Sequence, residues 1–284
     1  MTNKTSNKEK LTVIIGGKGK TGARVRDRLE RLGRPVRAVS PSAEVPFDWN
    51  DSATWEAALQ GAHNLYVTYF PDLAVPGAAA HVDALARFAT ERGVDKIVLL
   101  AGRGEPQVHP AEDAIRTSGA RWTIFECGFF MQNFTEGALV PQGDTIAFPA
   151  GDVREPLIDC DDIADAVVAA LVTDDHVGKT YELTGPRLLT FGEATAELAE
   201  ATGRPLAYVP VTFDQYRQIL GQHVPPELAG FFVELFSYLL DGHNAHVTDD
   251  LERVLGRPPR DFRDFARAAS GSAPAAGATA EGSR

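Results

Sequence analysis

The chain has 284 residues, 44% of them hydrophobic and 24% charged, an ordinary globular balance with room for one large domain or two small ones. Its net charge of −11 argues against nucleic acid as a partner. The opening "MTNKTSNKEK" lacks the apolar core of a signal peptide, no stretch has the length of a membrane span, and Cys127 and Cys160 form no spaced motif. A cytoplasmic, disulfide-free protein with no membrane partner is therefore expected.

Residues 11–29, "LTVIIGGKGKTGARVRDRL", place strand-forming residues before a knot of glycines and lysines, then a helical stripe of Val25, Leu29 and Leu32. A nucleoside triphosphate loop is excluded. Gly19-Lys20-Thr21 fits its end, but the glycine it requires first falls on Ile14, inside the strand. A dinucleotide loop fits in two registers, Gly17-x-Gly19-x-x-Gly22 and Gly16-x-x-Gly19-x-x-Gly22. The first glycine permits the tight turn, Gly19 lets a pyrophosphate touch backbone, and Gly22 lets the helix cross the strand closely. The helix N-terminus supplies partial positive charge.

Further strands are expected at 35–39, 64–70, 96–101 and 122–127, with helices near 21–33, 51–60, 76–93 and 110–119. This alternation predicts a doubly wound, parallel α/β sheet of the Rossmann-like class. Ligands of such sheets bind beyond the carboxyl ends of the strands. That gathers the glycine loop, the segment after Val39, "TYFPDL" and "AGRGEP" around one cleft. Beyond residue 128 the pattern changes. "DTIAFPAG" reads as a short strand, "LIDCDDIADAVVAALVTD" as a capped helix and "TYELTGP" as a strand. Two capping boxes, Thr190-x-x-Glu193 and Thr212-x-x-Gln215, each open a helix. The apolar "PPELAGFFVELFSYLLDG" reads as a buried helix, a pocket wall or a homodimer face, and periodicity does not choose. The expected organisation is a flexible start at 1–10, a dinucleotide-binding domain at 11–150, sheet completion and a mainly helical substrate lobe at 151–268, and a disordered tail at 269–284.

With the glycine loop, "HPAEDAIRTSGARWTIFECGFFMQNFTEG" and "DIADAVVAALVTDDHVGKTYELTGPRLLTFGEATAELAEATGRP" taken together, the chain resembles the NmrA-like family of atypical short-chain dehydrogenase/reductases over residues 11–267. The resemblance implies NAD(P) binding. It is compatible with a quinone-reductase-like enzyme, with a redox-sensing regulator without turnover, or with a reductase of small aromatic substrates. Three departures matter. Lys18 stands where relatives commonly carry a small or hydroxyl residue, and it either approaches the cofactor phosphates or is merely solvated. The second strand ends in "VRAVSPSAE", with no acidic residue to clamp an unphosphorylated ribose; Arg37, Lys18 and serines such as Ser40 lean towards NADP(H) over NAD(H). The usual catalytic serine is replaced by Ala101, and His109-x-x-x-Asp113 occupies the region of the usual Tyr-x-x-x-Lys pair.

If hydride transfer occurs, the chain must orient the cofactor and supply a proton. His109 is either the acid or a surface histidine before a helix. Glu112 either orients it or favours the helix N-terminus. Tyr69 either donates a proton or is a core aromatic. The expected cofactor contacts are Gly16, Gly17, Lys18, Gly19, Lys20, Thr21, Gly22, Arg37, Ser40, Asp48 and Ala101. Phe130, Asn133 and Phe134 are expected to touch a small, flat substrate. His243 and His246, with Asp241 and Asp249, have spacing compatible with a metal, but a turn after a helix accounts for them better. The expected activity is NAD(P)H-dependent reduction of a small carbonyl, quinone or conjugated compound. The alternatives are a non-catalytic dinucleotide sensor and a non-redox dehydratase, isomerase or cyclase on the same fold.

Overall fold

The computed structural model describes residues 10–272. The expected flexible start and most of the expected tail lie outside the described residues. In chain order the first half contains β1 (Leu11–Ile15), α1 (Lys20–Arg31), β2 (Val36–Val39), α2 (Trp55–Leu59), β3 (Ala62–Val67), α3 (Ala78–Glu91), β4 (Lys96–Gly102), α4 (His109–Arg116) and β5 (Arg121–Cys127). The second half contains α5 (Asn133–Glu136), β6 (Thr145–Phe148), β7 (Arg154–Glu155), α6 (Cys160–Val172), β8 (Lys179–Leu183), β9 (Leu189–Thr190) and α7 (Phe191–Thr202). It ends with β10 (Ala207–Pro210), α8 (Phe213–Leu220), α9 (Pro226–Leu239), α10 (Asp250–Leu255) and α11 (Phe262–Ser272). The last helix runs a few residues into the segment expected to be tail.

Six parallel strands form the main sheet in the order β2-β1-β3-β4-β5-β8. The strand period of two divides its core between the faces. Val13, Ile15, Leu65, Val67, Ile97 and Leu99 pack against the apolar stripes of α3 and α4. Ile14, Tyr66, Val98 and Phe125 point the other way, onto Val25 and Leu29 of α1 and the buried face of α6. Covering both faces is what a parallel sheet of continuous apolar strands requires. β8 joins from beyond residue 150, so the second half of the chain completes the sheet begun by the first.

A separate core is built by the C-terminal lobe. Phe134, Phe148, Phe191, Tyr216 and Phe262 are its largest fully buried side chains. The strand pairs β6–β10 and β7–β9 frame this lobe. Both expected capping boxes form, Thr190 with Glu193 and Thr212 with Gln215, each satisfying two amides reciprocally. Among the described residues, no helix is long and apolar enough to cross a membrane.

Strand order changes direction between β1 and β3, because the chain goes outward to β2 and returns past β1. The loops leaving β1 and β3 therefore diverge, opening a crevice at the carboxyl edge of the sheet.

Candidate functional site

That crevice is a cleft of about 990 Å³. Its lining includes all four segments the sequence gathered around it: the glycine loop, Ser40 and Pro41, Tyr69–Leu73, and Ala101–Arg103 with Glu105.

The glycine loop is built for close backbone approach. Gly16 has φ +77, and a Cβ there would lie 2.2 Å from the Thr68 hydroxyl oxygen. At Gly17 a Cβ would lie 2.5 Å from the Ala38 Cβ, and at Gly22 it would lie 2.2 Å from the Gly16 carbonyl oxygen. Gly16 and Gly19 line the cleft, whereas Gly17 and Gly22 make the packing that lets them do so. Gly19 is the N-cap of α1, and no side chain caps that helix. Its first-turn amides thus keep donors free of helical partners at the cleft. Lys18, Lys20 and Thr21 line the same rim, and Thr21 accepts a hydrogen bond from buried Tyr66 at 3.0 Å. This cradle fits the diphosphate of a dinucleotide.

Beside it, the Lys18 ammonium donates to the Ser42 carbonyl oxygen at 2.8 Å and to its hydroxyl at 3.0 Å, bridging the loops after β1 and β2. The Ser40 hydroxyl is buried with no partner. Arg37 does not reach the cleft. Its guanidinium donates to the carbonyls of Ala58 and Gln60, behind the sheet edge. Asp48 does line the cleft, and its carboxylate accepts from the Asn50 amide.

The other expected side chains separate. Tyr69 lines the cleft, but its hydroxyl meets His81 Nδ1 at 2.7 Å and its ring lies 4.6 Å from that of Trp49. His109 is exposed at the start of α4 and absent from the lining. Glu112 is buried, but against Arg116, which donates to it at 3.1 Å, and beside Glu126. It is not among the residues that line the cleft. Phe130 and Asn133 line the cleft, whereas Phe134 lies in the C-terminal core with its ring 5.2 Å from that of Phe262. His243 meets Asp241 at 2.5 Å and the Gly104 carbonyl at 3.2 Å, while His246 meets an Arg103 nitrogen at 2.7 Å. These histidines fasten the segment after α9 to the loop after β4.

Three carboxyl groups at the cleft were not singled out as functional in the sequence, although two of them, Asp72 and Glu105, lie in segments it gathered there. Glu105 is buried and its Oε2 has no partner; burial, aided by neighbouring Asp72, pushes its pKa up to about 8. Burial also raises that of Asp72. Glu155 on β7 is 1% exposed, neither of its oxygens has a partner, and burial pushes it up to about 7. The same lining includes Phe129, Phe148, and Phe232 and Phe236 of α9. The apolar helix is thus a pocket wall. "AGRGEP" had placed Glu105 near the cleft, but a glutamate in a two-residue strand has no pattern that could single it out.

A parallel sheet with its glycine loop, an uncapped helix N-terminus and an adjoining aromatic compartment define a dinucleotide-binding protein of the Rossmann class. No family model matches the chain. It is 30% identical over 281 residues to an NAD(P)H azoreductase of Xenophilus azovorans, covering 91% of this chain and 97% of that one. Its fold matches an Escherichia coli NADPH-dependent quinone oxidoreductase complexed with NADPH, at TM-score 0.73 and 20% identity, covering 91% of this chain and 99% of that one. It also matches NmrA, a negative transcriptional regulator in complex with NAD, at TM-score 0.70 and 16% identity, covering 92% of this chain and 95% of that one. The chain belongs to the NmrA-like atypical short-chain dehydrogenase/reductases, and it is an NAD(P)H-dependent oxidoreductase.

Proposed function

We propose that the protein is an NADPH-dependent reductase of small conjugated acceptors, such as quinones and aromatic or unsaturated carbonyl compounds. One observation carries this reading: a single cleft joins the diphosphate cradle to a compartment walled by Phe129, Phe130, Phe232 and Phe236. Similarity to an azoreductase supports acceptors that take up hydride across a conjugated system. When bound, the reduced nicotinamide supplies the hydride.

The chain's own residues bind, orient and hold a proton. Gly16, Gly19 and the first-turn amides of α1 hold the diphosphate. Lys18, fixed by Ser42, with the unpartnered Ser40 hydroxyl beside it, suits the 2′-phosphate of NADP(H). Asp48 and Asn50 edge the same end of the cleft. A neutral acceptor needs one proton after hydride arrives, and Glu105 is placed to give it: it lines the cleft, has a free oxygen, and is largely protonated at neutral pH. Tyr69 serves as a wall, since its hydroxyl is engaged with His81.

The experiment is direct. Purified protein with NADPH and a panel of quinones and enones should consume reduced nicotinamide in proportion to acceptor. Tight cofactor uptake with no turnover across the panel would contradict the reading.

A further inference from the structure

Glu155 is the group in the cleft that the reductase reading leaves unused. It is 1% exposed, and both of its carboxyl oxygens are buried without a partner. The nearest cation is no partner. The Arg103 guanidinium acts on Glu155 through its charge but makes its hydrogen bonds to Glu182 at 3.0 Å, the Asn244 carbonyl at 2.9 Å and His246 at 2.7 Å, and none to Glu155. An unpaired carboxylate in such surroundings is costly, so the group is driven towards its protonated form unless a cation pairs with it.

The surroundings say which ligand. Asp72, Glu105 and Glu155 line the cleft near the ends of β3, β4 and β5; the cationic side chains in that lining are Arg103, engaged elsewhere, and Lys18 and Lys20 of the glycine loop. Phe129, Phe148 and Phe236 pack on one another beside them, with ring centroids 5.4 to 5.8 Å apart. Aromatic faces around a carboxylate favour a cation with an apolar body. A carbonyl oxygen would gain only one hydrogen bond from a protonated Glu155.

Resting on the reductase reading, we propose that Glu155 is a specificity-determining residue and that the favoured acceptor bears a positively charged nitrogen, a protonated or quaternary amine, on its aromatic or conjugated body. The carboxylate pairs with that nitrogen and the phenylalanines cover the rest. Hydride and proton transfer then occur at the conjugated system as for any neutral acceptor, with the charged nitrogen unchanged.

Binding is coupled to proton loss. Glu155 is buried by its own lobe, and Arg103 and His243 lower its pKa while Asp241 raises it, leaving it at about 7; Glu105 and Asp72 share the cleft. A cation requires the ionised form, so affinity rises as pH rises through about 7.

The test is calorimetric titration of the full chain with N-methylquinolinium and with quinoline, in the absence of cofactor and again with redox-inert tetrahydro-NADPH. The quinolinium is expected to bind at least about tenfold more tightly at pH 8. Glu155→Gln should abolish that preference while leaving quinoline affinity unchanged. On the unaltered protein the preference should also shrink about tenfold between pH 8 and pH 6, which keeps the test valid should the variant not fold. Equal affinities, absence of binding by either compound, or a preference that survives in Glu155→Gln or is flat with pH would overturn the proposal. Failure of tetrahydro-NADPH to bind would instead end the reductase reading, and the cofactor-free titrations would still decide the role of Glu155. In turnover, a quaternary-ammonium naphthoquinone should show higher kcat/KM than the unsubstituted quinone, through KM.

Discussion

The carboxyl group of Glu105 lies against the Cα of Gly102, so close that a Cβ on that glycine would stand 2.2 Å from Glu105 Cδ. The last residue of β4 is thereby kept without a side chain, and the carboxyl takes that space beside Ala101, the position of the usual catalytic serine. Gly102→Ala should displace Glu105 and lower kcat for quinones by about tenfold or more, since misplaced proton donors cost that much. Cofactor affinity, measured by calorimetry, should stay within about twofold because the cradle at Gly16–Gly22 is untouched.

Glu105 also sets a pH dependence. Burial and Asp72 raise its pKa to about 8, and an acid must be protonated to act. The kcat for neutral acceptors should therefore hold at lower pH and fall as pH rises through about 8. Glu105→Gln should lower kcat and remove that limb of the profile. A variant that keeps the limb would show that another group is the acid.

The same shift is a stability statement. A folded pKa above the unfolded value of about 4.3 means that stability is fully present below the unfolded value and is lost as pH rises towards about 8. Glu105→Gln should thus melt at a higher temperature than the unaltered protein above pH 8 and show a flatter dependence of Tm on pH.

Two glycines of the loop should respond differently. Gly22→Ala would put a Cβ 2.2 Å from the backbone oxygen of Gly16, which cannot swing aside as a side chain does. It should cost about 1–3 kcal/mol of stability as well as cofactor affinity. At Gly19 a Cβ would lie 3.2 Å from the Gly16 carbonyl oxygen, a milder contact, and φ is −74, so Gly19→Ala should lower Tm less than Gly22→Ala and still weaken cofactor binding. Chemical denaturation together with calorimetry separates the two effects.

Lys18 and Arg37 make a matched pair. Lys18→Ala should weaken NADPH by about tenfold and NADH much less, because only the former has a phosphate to meet the ammonium. Arg37→Ala should leave the ratio of the two affinities unchanged, its guanidinium being held by the carbonyls of Ala58 and Gln60. His109→Ala, altering an exposed residue outside the cleft, should leave kcat unchanged.

Local chemistry made much of this protein legible. The glycine triplet after β1, the apolar strands, the stripe of α3 and the two capping boxes each depend on residues a few positions apart and formed close to where the chain indicates them, although β3 ends at Val67 rather than at residue 70 and Leu32, expected on the α1 stripe, caps that helix and is exposed. The segments at the carboxyl edge were also readable, because a parallel sheet must put the ends of its strands together. Proximity in sequence misled at α4 and after β5. His109 and Glu112 follow a cleft segment, yet the helix turns one out to solvent and buries the other against Arg116; Phe134 follows two cleft residues and belongs to another core.

Sequence by itself determined a dinucleotide cradle on a parallel α/β sheet, since a backbone that must approach a phosphate needs its glycines within one turn. Only the tertiary structure decided what surrounds the acceptor. Asp72, Glu105 and Glu155, and the phenylalanines of α9, come from segments up to some hundred and sixty residues apart, and their shared burial, which sets their protonation, exists only once the lobes have packed.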